Sequence, residues 1–518
     1  MLTAPIKPVV LVVLDGVGIA HDDPGNAVTK AHTPFLEKIW DSYPHTMLHA
    51  SGEHVGLPLG IKGNSEVGHM NLGGGRVVYQ ELPRINKAIE KGLFQKNTQL
   101  LEALFLTQHT GSRLHAAVCF SDAGVHGTIH HLEALIETAK QHNMTQPLII
   151  HAFTDGRDSP PKSAHTFFTV IQSVIDKNGI GTFGSVMGRY YAMDRNQVWE
   201  RVKRAYDALT TGTGHSARTW NEALENAYLR GETDEFIEPT LIRNDRLDDP
   251  TIREGDTCIL LNYRADRSIE LTSALTQTNF TSFERTHIVK PLHFVGMTEY
   301  AKGIPANVAF PSDDLPLPLG RILSEYNQRQ LRIAESEKYP HVTYFFNGGR
   351  SIPFPGEDRI HIPSPNVNTY DQKPEMSLPE VTRVLVNKLS MRVYDFILIN
   401  IANGDMVGHT GNLDAGIRAM QSVDHALKEI VSAATAIGGA VIITADHGNI
   451  EEMRNLETGA IDTEHSDNPV PFIYISQISG KQAPMLKRGS LANVAPTVLS
   501  LLGLKKPSTM KGTSLITR

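Results

Sequence analysis

Short continuous runs of apolar residues, each followed by polar residues, recur along the chain. The first run is Val9–Leu14, and two more near the C-terminus are Phe396–Ile401 and Ala440–Thr444. A run without polar alternation is typical of a strand buried on both faces of a parallel sheet. Acidic side chains follow all three runs, in two cases with histidine close by. Since sites in open α/β sheets collect at the carboxyl ends of the strands, we predict that both ends of the chain contribute to one sheet and one cleft.

The middle of the chain shows a strand and helix alternation of its own. Strands are predicted at residues 113–120, 148–152 and 257–261, and the segments that follow them read SDAGVHG, FTDGRD and NYRADR. These segments are rich in arginine and histidine. The simplest architecture is one α/β domain built from both termini, with a second α/β domain inserted. Candidate joints lie near residues 75–84 and in the proline-rich segment 305–318.

Composition narrows the class of protein and its partners. A chain of 518 residues exceeds what one hydrophobic core usually supports, so two domains are expected. The net charge of −7 argues against nucleic acid as a partner but allows a small anionic substrate. Cys119 and Cys258 lie in separate apolar runs, so no disulfide framework is expected. No run approaches the ~18 apolar residues of a membrane span, and the N-terminus lacks a signal-peptide pattern. We predict a cytoplasmic protein with no membrane partner.

Metal-ligating side chains cluster at the predicted strand ends. Asp405 and His409 are four residues apart, so one helical turn would place them on the same face. Asp15 alone is more typical of a turn than of a ligand. Asp446-His447-Gly448 alone fits a helix cap and turn as well as a metal site, and the whole set favours a dinuclear site. Three carboxylates and three imidazoles without cysteine suit Mn²⁺, Zn²⁺ or Co²⁺. The set consists of Asp15, Asp405, His409, Asp446, His447 and His465.

Ser65 lies in the glycine-flanked segment GNSEVGH, which could open a helix. One interpretation is a serine that caps the helix. The other is a nucleophile at a helix N-terminus, where free N–H groups and the helix dipole favour phosphate. A nearby metal ion would activate the hydroxyl. With metal ligands elsewhere in the chain, we favour the nucleophile.

Together, several motifs resemble the cofactor-independent phosphoglycerate mutases of the alkaline phosphatase superfamily. The motifs are LDGVG, GNSEVGHMNLGGGRVVYQ, NGDMVGHTG, TADHGN and HSDNPVP, with GVHG, TDGRDSPP, GRYYAMDR, NYRADR and SEKYPHVTYFFNGG between them. The resemblance covers nearly the whole chain in the family's order. It implies an alkaline-phosphatase-like central sheet flanked by helices, formed by residues 1–80 and 315–518. Residues 81–314 would form an inserted, substrate-binding transferase domain.

The resemblance also implies roles for individual residues. One metal ion would be held by Asp405, His409 and His465, and a second by Asp15, Ser65, Asp446 and His447. The ions would be divalent, with Mn²⁺ preferred and Mg²⁺, Co²⁺ or Zn²⁺ as alternatives. Ser65, Asp158 and Lys338 would be catalytic. The substrate-binding residues would be His126, Asp155, Arg157, Asp158, Arg189, Arg195, Arg264, Arg267 and Lys338.

The implied activity is interconversion of 3-phosphoglycerate and 2-phosphoglycerate in glycolysis and gluconeogenesis by a monomer. It would proceed through a phosphoserine on Ser65 and would need no bisphosphoglycerate primer. Arginine forks match the phosphate and carboxylate of such a substrate. Two alternatives stay open: another enzyme of the superfamily, such as a phosphopentomutase or phosphatase, and a non-catalytic binding protein. The chain departs from the family pattern at Gly127-Thr128, so only His126 is carried over from that motif, and at Asp467.

Overall fold

The two ends of the chain fold together into one unit, and the middle of the chain folds into another. Unit 1 comprises Met1–Gln80 and Asp313–Arg518, and unit 2 comprises Glu81–Ser312. The computed structural model describes residues 5–245, 247–312, 315, 317–455, 457–477 and 484–517. The functional labels that the sequence suggested for the two domains stay a prediction.

The strands are numbered along the whole chain. They are β1 Val9–Leu14, β2 His45–His49, β3 Leu114–Phe120, β4 Leu148–Thr154, β5 Thr182–Gly188, β6 His215–Ala217, β7 Thr240–Ile242, β8 Thr257–Leu260, β9 His293–Gly296, β10 Asn307–Val308, β11 Gln330–Glu335, β12 Glu357–Ile362, β13 Phe396–Ile401, β14 Ala440–Thr444, β15 Val470–Ile475, β16 Met485–Leu486, β17 Gly489–Ser490 and β18 Ile516–Thr517.

The α-helices are numbered in the same way. They are α1 Ala27–Lys30, α2 Pro34–Ser42, α3 Ser65–Gly74, α4 Glu81–Glu90, α5 Thr98–Thr110, α6 Ile129–Gln141, α7 Ala164–Asn178, α8 Arg189–Ala192, α9 Trp199–Thr211, α10 Trp220–Leu229, α11 Ile269–Thr276, α12 Leu319–Glu325, α13 Leu378–Ser390, α14 Asn403–Gly408, α15 Leu413–Ala436 and α16 Val494–Leu501. Among the helices that the structure describes, none has the length and apolar composition needed to cross a bilayer.

Unit 1 is built on a sheet with the order β12-β11-β13-β1-β14-β15-β2-β17. Strand β1 is completely buried and pairs in parallel with β13 on one side and β14 on the other. These three strands agree residue for residue with the three apolar runs. Leu14 is opposite Ile401, so the residues that follow β1 and β13 emerge at one edge of the sheet. Burying one such aliphatic side chain stabilises the folded state by about 1.5–3 kcal/mol. The buried side chains of these strands therefore hold that edge of the sheet in place.

Unit 2 contains a second sheet with the order β10-β9-β8-β3-β4-β5-β7-β6. Its central strands β8, β3, β4 and β5 are parallel. The predicted strands differ from the observed ones by one or two residues at their ends. Strand β4 continues to Thr154 because Phe153 and Thr154 still pair with Met187 and Gly188 of β5. Pairing with a neighbour, which apolar patterning does not reveal, sets the end of a strand.

The predicted fold class is confirmed. Both units are α/β, each with a largely parallel sheet and helices packed around its apolar core. The second sheet lies wholly within the middle of the chain. The parallel connections of each sheet carry the polar segments to its carboxyl edge, which is where both candidate clusters lie.

Candidate active site

The predicted metal ligands of unit 1 lie together at the carboxyl edge of β1, β13 and β14. The acid–imidazole cluster comprises Asp15, Ser65, Lys338, Asp405, His409, Asp446, His447 and His465. Within it, Asp405 Oδ1 lies 3.2 Å from His409 Nε2 and 3.2 Å from His465 Nε2. His447 Nε2 lies 3.6 Å from Asp15 Oδ1. The ligand atoms of Asp405, His409 and His465 lie within 4.8 Å of one another, as do those of Asp15, Asp405 and His447.

Ser65 is the first residue of α3 and is buried, with 7% of its surface exposed. The residue that caps the helix is Asn64, whose side chain accepts a hydrogen bond from the Val67 N–H at 3.0 Å. The interpretation of Ser65 as the cap is therefore wrong. Its hydroxyl is left free to donate to Asp15 Oδ1 at 3.1 Å and lies 2.9 Å from His447 Nε2.

Glycine at position 68 allows α3 to approach the end of β14. A Cβ atom there would lie 2.7 Å from the Cβ of Asp446, closer than real side chains come. Because α3 carries Ser65, this close packing places the hydroxyl among the strand-end carboxylates. Gly68 of the glycine-rich motif is thus required for the close packing of α3 against the end of β14.

Lys338 lies inside the acid–imidazole cluster. Its Nζ lies 2.7 Å from Asp15 Oδ1 and 2.6 Å from Asp405 Oδ2, and it donates to Ser65 Oγ at 2.8 Å. Burial acts to lower the pKa of Lys338, but Asp15 and Asp405 outweigh burial and raise it. The ammonium group is therefore a fixed positive charge beside the serine hydroxyl. The Ser336–Lys338 turn that follows β11 holds it there.

The donor set of unit 1 fits divalent cations. The carboxylates of Asp15, Asp405 and Asp446 are all buried, and Lys338 supplies a single compensating ammonium group. Burial and the charge of Asp446 raise the pKa of Asp15, whereas Lys338 lowers the pKa of Asp405 and His447 lowers that of Asp446 despite their burial. Asp446 Oδ2 is buried without a hydrogen-bond partner among the described residues. Because uncompensated buried charge is costly, this arrangement calls for added positive charge, and oxygen and imidazole donors suit a divalent metal.

One supporting residue of unit 1, Glu451, was not predicted from the sequence. The Glu451 carboxylate accepts hydrogen bonds from the Gly18 and Asn449 N–H groups at 2.8 and 2.9 Å. It also accepts the Ser466 hydroxyl hydrogen. Glu451 thereby ties the loop after β1 to the loop after β14 and to the segment that carries His465. No motif marks such a residue, because its role depends on three segments meeting in space.

The arginine cluster of unit 2 lies at the carboxyl edge of β3, β4, β5 and β8. It comprises His126, Asp155, Arg157, Asp158, Arg189, Arg195, Arg264, Asp266 and Arg267. Arg189 is 2% exposed, and its Nη1 lies 2.5 Å from both Asp155 Oδ1 and Asp158 Oδ2. Burial, together with the positive charges of Arg189 and Arg195, lowers the pKa of Arg267. Guanidinium groups that repel one another in this way favour an anionic ligand.

Asp266 belongs to this cluster, although its role was not predicted from the sequence. Its Oδ2 accepts from Arg195 Nη1 at 2.8 Å, and its Oδ1 lies 3.2 Å from Arg264 Nε. His126 Nδ1 lies 3.7 Å from the same carboxylate. Burial and the Arg189 charge lower the pKa of His126 to about 4, so the imidazole is neutral at pH 7. The cluster therefore offers charged guanidinium groups and one neutral imidazole.

Not every predicted substrate residue lies deep in the arginine cluster. The side chains of Arg157 and Arg264 are 55% and 50% exposed. Arg157 Nη1 lies 3.5 Å from Glu235 Oε1. Lys338, also predicted to bind substrate, lies in unit 1. The sequence could not separate these positions, because a charged residue beside a strand end can point either inward or outward.

Asp234 supports the loop that carries Asp155, Arg157 and Asp158. It is fully buried, and its Oδ2 accepts from the Ser163 and Ala164 N–H groups at 2.7 and 2.9 Å, at the start of α7. Its backbone N–H donates to Pro161 O at 2.8 Å, and its backbone oxygen accepts from Thr154 Oγ1 at 2.7 Å. Both ends of the loop are therefore tied to one residue.

The departures from the family pattern have partial structural explanations. A Cβ atom on Gly127 would lie 2.3 Å from Asn262 Oδ1, which accepts the Cys119 N–H, so a larger residue would clash here. Thr128 caps α6 by accepting the His130 N–H at 3.3 Å. Asp467 is exposed, and its backbone oxygen accepts from Ser51 Oγ. Nothing in the structure explains the choice of Asp at that position.

Comparison with known proteins agrees with this geometry. The profile of the Metalloenzyme superfamily matches residues 7–506. A 2,3-bisphosphoglycerate-independent phosphoglycerate mutase of Moorella thermoacetica is 47% identical, with 100% of both chains covered. One from Clostridium kluyveri is 48% identical over 98% of this chain and 99% of its own. A Leishmania mexicana phosphoglycerate mutase, solved at low cobalt concentration, superimposes with a TM-score of 0.57 at 31% identity over 100% of this chain and 99% of its own.

The matched profile and the buried carboxylate and imidazole donors define a metalloenzyme that binds divalent metal. The full-length relatives narrow this class. The chain belongs to the 2,3-bisphosphoglycerate-independent phosphoglycerate mutases of the Metalloenzyme superfamily. The resemblance that the motifs indicated is confirmed.

Proposed function

We propose that this chain interconverts 3-phosphoglycerate and 2-phosphoglycerate without a bisphosphoglycerate primer. The observation that carries the proposal is the environment of Ser65. Its hydroxyl is buried at the N-terminus of a helix, within hydrogen-bond reach of a carboxylate, an imidazole and an ammonium group. That environment suits attack on phosphorus, since helix N–H groups and a fixed cation both favour the transferred phosphoryl group.

In the proposed reaction, Ser65 Oγ attacks the phosphorus of the bound ester, and the bond from phosphorus to the glycerate oxygen breaks. The phosphoserine then returns the phosphoryl group to the other glycerate hydroxyl. Lys338 stabilises negative charge on the serine oxygen and the phosphoryl group. Water must be excluded while the phosphoserine exists, because hydrolysis would turn a mutase into a phosphatase.

Two divalent metal ions, with Mn²⁺ as the proposed ion, would neutralise charge on the transferred phosphoryl group. Asp405, His409 and His465 would hold one ion. Asp15, Ser65, Asp446 and His447 would hold the other. Support comes from the buried carboxylates and from the imidazoles that surround Asp405.

The arginine cluster would hold the glycerate phosphate through its charged groups. Arg189, Arg195, Arg264 and Arg267 would contact its phosphate and carboxylate oxygens as bidentate forks. Asp158 would exchange protons with the two glycerate hydroxyls, since a base that serves either oxygen must lie within hydrogen-bond reach of both. Its carboxylate Oδ2 is already held by Arg189, which would fix its position during the exchange.

The test uses metal-stripped protein, 3-phosphoglycerate and no bisphosphoglycerate. Adding Mn²⁺ should restore formation of 2-phosphoglycerate, with little release of inorganic phosphate. A matched panel of other phosphate esters, including a pentose phosphate, separates the alternatives. Preferred turnover of a pentose phosphate, or rapid release of phosphate, would replace the proposal with a phosphopentomutase or a phosphatase. Metal binding without any turnover would favour a binding protein.

A further inference from the structure

A chain of close polar contacts beneath Ser65 joins two of the carboxylates in the acid–imidazole cluster. His69 Nδ1 lies 3.2 Å from Asp446 Oδ2. His69 Nε2 lies 3.1 Å from Asn400 Nδ2, and Asn400 Nδ2 donates to Asp15 Oδ2 at 2.6 Å. His69 is completely buried and Asn400 is 1% exposed. Neither residue was predicted from the sequence to have a role.

The partners of this chain determine which atoms carry hydrogen. His69 Nδ1 also lies 2.9 Å from the backbone oxygen of Ser65, which can only accept a hydrogen bond. Nδ1 therefore carries the ring hydrogen. Its Nε2 then presents a lone pair, to which the Asn400 amide donates one hydrogen while giving the other to Asp15. With both amide hydrogens used, Asn400 Oδ1 is left as a buried oxygen without a hydrogen-bond partner among the described residues.

The reverse orientation of Asn400 is electrostatically unfavourable. It would point Oδ1 at the Asp15 carboxylate, so that two acceptors would face each other at 2.6 Å. The contacts thus have one consistent set of hydrogens. His69 Nδ1–H donates to Ser65 O and lies beside Asp446 Oδ2, and the Asn400 amide donates to Asp15. These contacts lie on rigid elements, because His69 is in the middle of α3 and Asn400 is in the central strand β13.

His69 could instead be read as a metal ligand, since its ligand atom lies within 4.8 Å of those of Asp15 and Asp446. The hydrogen-bond pattern argues against that role. Nδ1 carries hydrogen and faces two acceptors, and the Nε2 lone pair is already used by Asn400. A neutral imidazole that binds a metal must offer a free lone pair.

We propose that His69 and Asn400 are positioning residues that fix the Asp446 and Asp15 carboxylates around Ser65, and that neither binds the metal directly. This inference rests on the proposed function, in which both carboxylates hold one metal ion. Residues of this kind typically change metal affinity 10–100-fold on mutation without removing the ion. They act by restricting the carboxylates to the orientation that the ion requires.

The experiment titrates the metal-stripped full-length chain with Mn²⁺ and measures both the number of ions bound and their dissociation constants. His69→Asn keeps a donor near the Nδ1 position and removes the acceptor that Asn400 uses. Asn400→Leu removes both donated hydrogens. Each variant should weaken one ion about 10–100-fold with the number of ions unchanged. The double variant should weaken it little further, because both changes break the same chain of contacts.

His341→Asn is the matched control. The His341 ring lies 5.5 Å from the His69 ring, so its loss changes the same neighbourhood while leaving the chain of contacts intact. If Asn400→Leu does not fold, as judged by circular dichroism, His69→Gln takes its place, since it keeps a group near Nε2 and loses the Nδ1 contact.

A stoichiometry one ion lower in His69→Asn than in the wild type would overturn the proposal and make His69 a ligand. Wild-type affinity in every folded variant would also overturn it. Failure of the wild-type chain itself to bind Mn²⁺ would overturn the proposed function together with this inference, so the two failures are distinguishable.

Discussion

The acid–imidazole cluster of unit 1 and the arginine cluster of unit 2 use the same structural position for opposite electrostatics. Each lies at the carboxyl edge of parallel strands. In the first, three buried carboxylates face one ammonium group. In the second, five guanidinium groups face three carboxylates, those of Asp155, Asp158 and Asp266. The fold of the α/β sheet therefore sets where the site lies, and the side-chain types decide whether the site attracts cations or anions.

The two clusters also differ in exposure. The side chains of Lys338 and Asp15 are 5% and 0% exposed, whereas those of Arg195 and Arg264 are 43% and 50% exposed. Each cluster also has a side chain of the other kind, since His409 in the first is 43% exposed and Arg189 in the second is 2% exposed. Solvent and salt screen exposed charges much more than buried ones. We therefore expect the first cluster to hold its ligands rigidly, while the second adjusts to a substrate that must reorient.

The largest effect is expected for Ser65→Ala, which removes the nucleophile from the acid–imidazole cluster. Mutase activity should fall at least about 10⁴-fold, since no neighbouring group can replace the serine oxygen. Binding of 3-phosphoglycerate, measured by calorimetry, should change only a few-fold because the arginine cluster is untouched. Activity above about 1% of the wild-type value, or a phosphorylated peptide elsewhere in the chain by mass spectrometry, would rule out the covalent route through Ser65.

A smaller loss is expected for Arg189→Lys, which acts on the arginine cluster alone. One guanidinium nitrogen of Arg189, Nη1, contacts both Asp155 and Asp158. Lysine has no further nitrogens to offer the substrate as a planar fork, so kcat/KM should fall about 100-fold. Metal content should be unchanged. Arg218→Lys is the control, since that side chain is 72% exposed in the same unit. Loss of metal in Arg189→Lys would contradict the separation of roles between the clusters.

Two buried aspartates of unit 2, Asp234 and Asp256, test whether a residue positions the arginine cluster or only stabilises the fold. Asp234→Ala releases the loop that carries Asp158, so kcat/KM should fall about 10-fold. Asp256→Ala breaks contacts with Arg113 and His115 just before β8, at the opposite edge of the sheet. Both variants should lose about 2–4 kcal/mol in the free energy of unfolding by urea. Equal losses of kcat/KM would show that Asp234 is merely structural.

The smallest effects concern the pH dependence of stability, which should have opposite signs in the two units. In unit 1, burial raises the pKa of Glu335 to about 7 from 4.5, so its stabilising contribution is present below pH 4.5 and is lost as pH rises through 7. Glu335→Gln should therefore stabilise the protein at pH 8 by about 1–3 kcal/mol.

In unit 2, burial lowers the pKa of His131 to about 3 from 6.5, so its stabilising contribution is present above pH 6.5 and is lost as pH falls. His131→Gln should accordingly flatten the acid side of the stability curve by about 1.4 kcal/mol per pH unit below pH 6.5. Urea unfolding at pH 5, 6, 7 and 8 measures both variants. Parallel curves for wild type and Glu335→Gln would mean that Glu335 is ionised in the folded chain. Parallel curves for wild type and His131→Gln would mean that His131 has the same pKa in the folded and unfolded chain.

The central strands could be predicted from the sequence because their signal is local. Val9–Leu14, Phe396–Ile401 and Ala440–Thr444 are uninterrupted apolar runs, and the structure has strands with those bounds. The strand ends in unit 2 shifted by one or two residues, since hydrogen-bond pairing with a neighbour ends a strand. The side chains nominated as ligands came from residue type and position after a strand, and their roles stay predictions.

By itself, the sequence determined the α/β class and the family, because these depend on residue types and on their order along the chain. Tertiary structure alone decided that Asn64 rather than Ser65 caps α3 and that Lys338 lies among the carboxylates. It alone revealed that His69 and Asn400 join Asp446 to Asp15. The Asn64 cap is a local contact. The contacts of Lys338, His69 and Asn400 with the carboxylates are long-range, and no periodicity or motif records the distance between two side chains that meet only after the strands have paired.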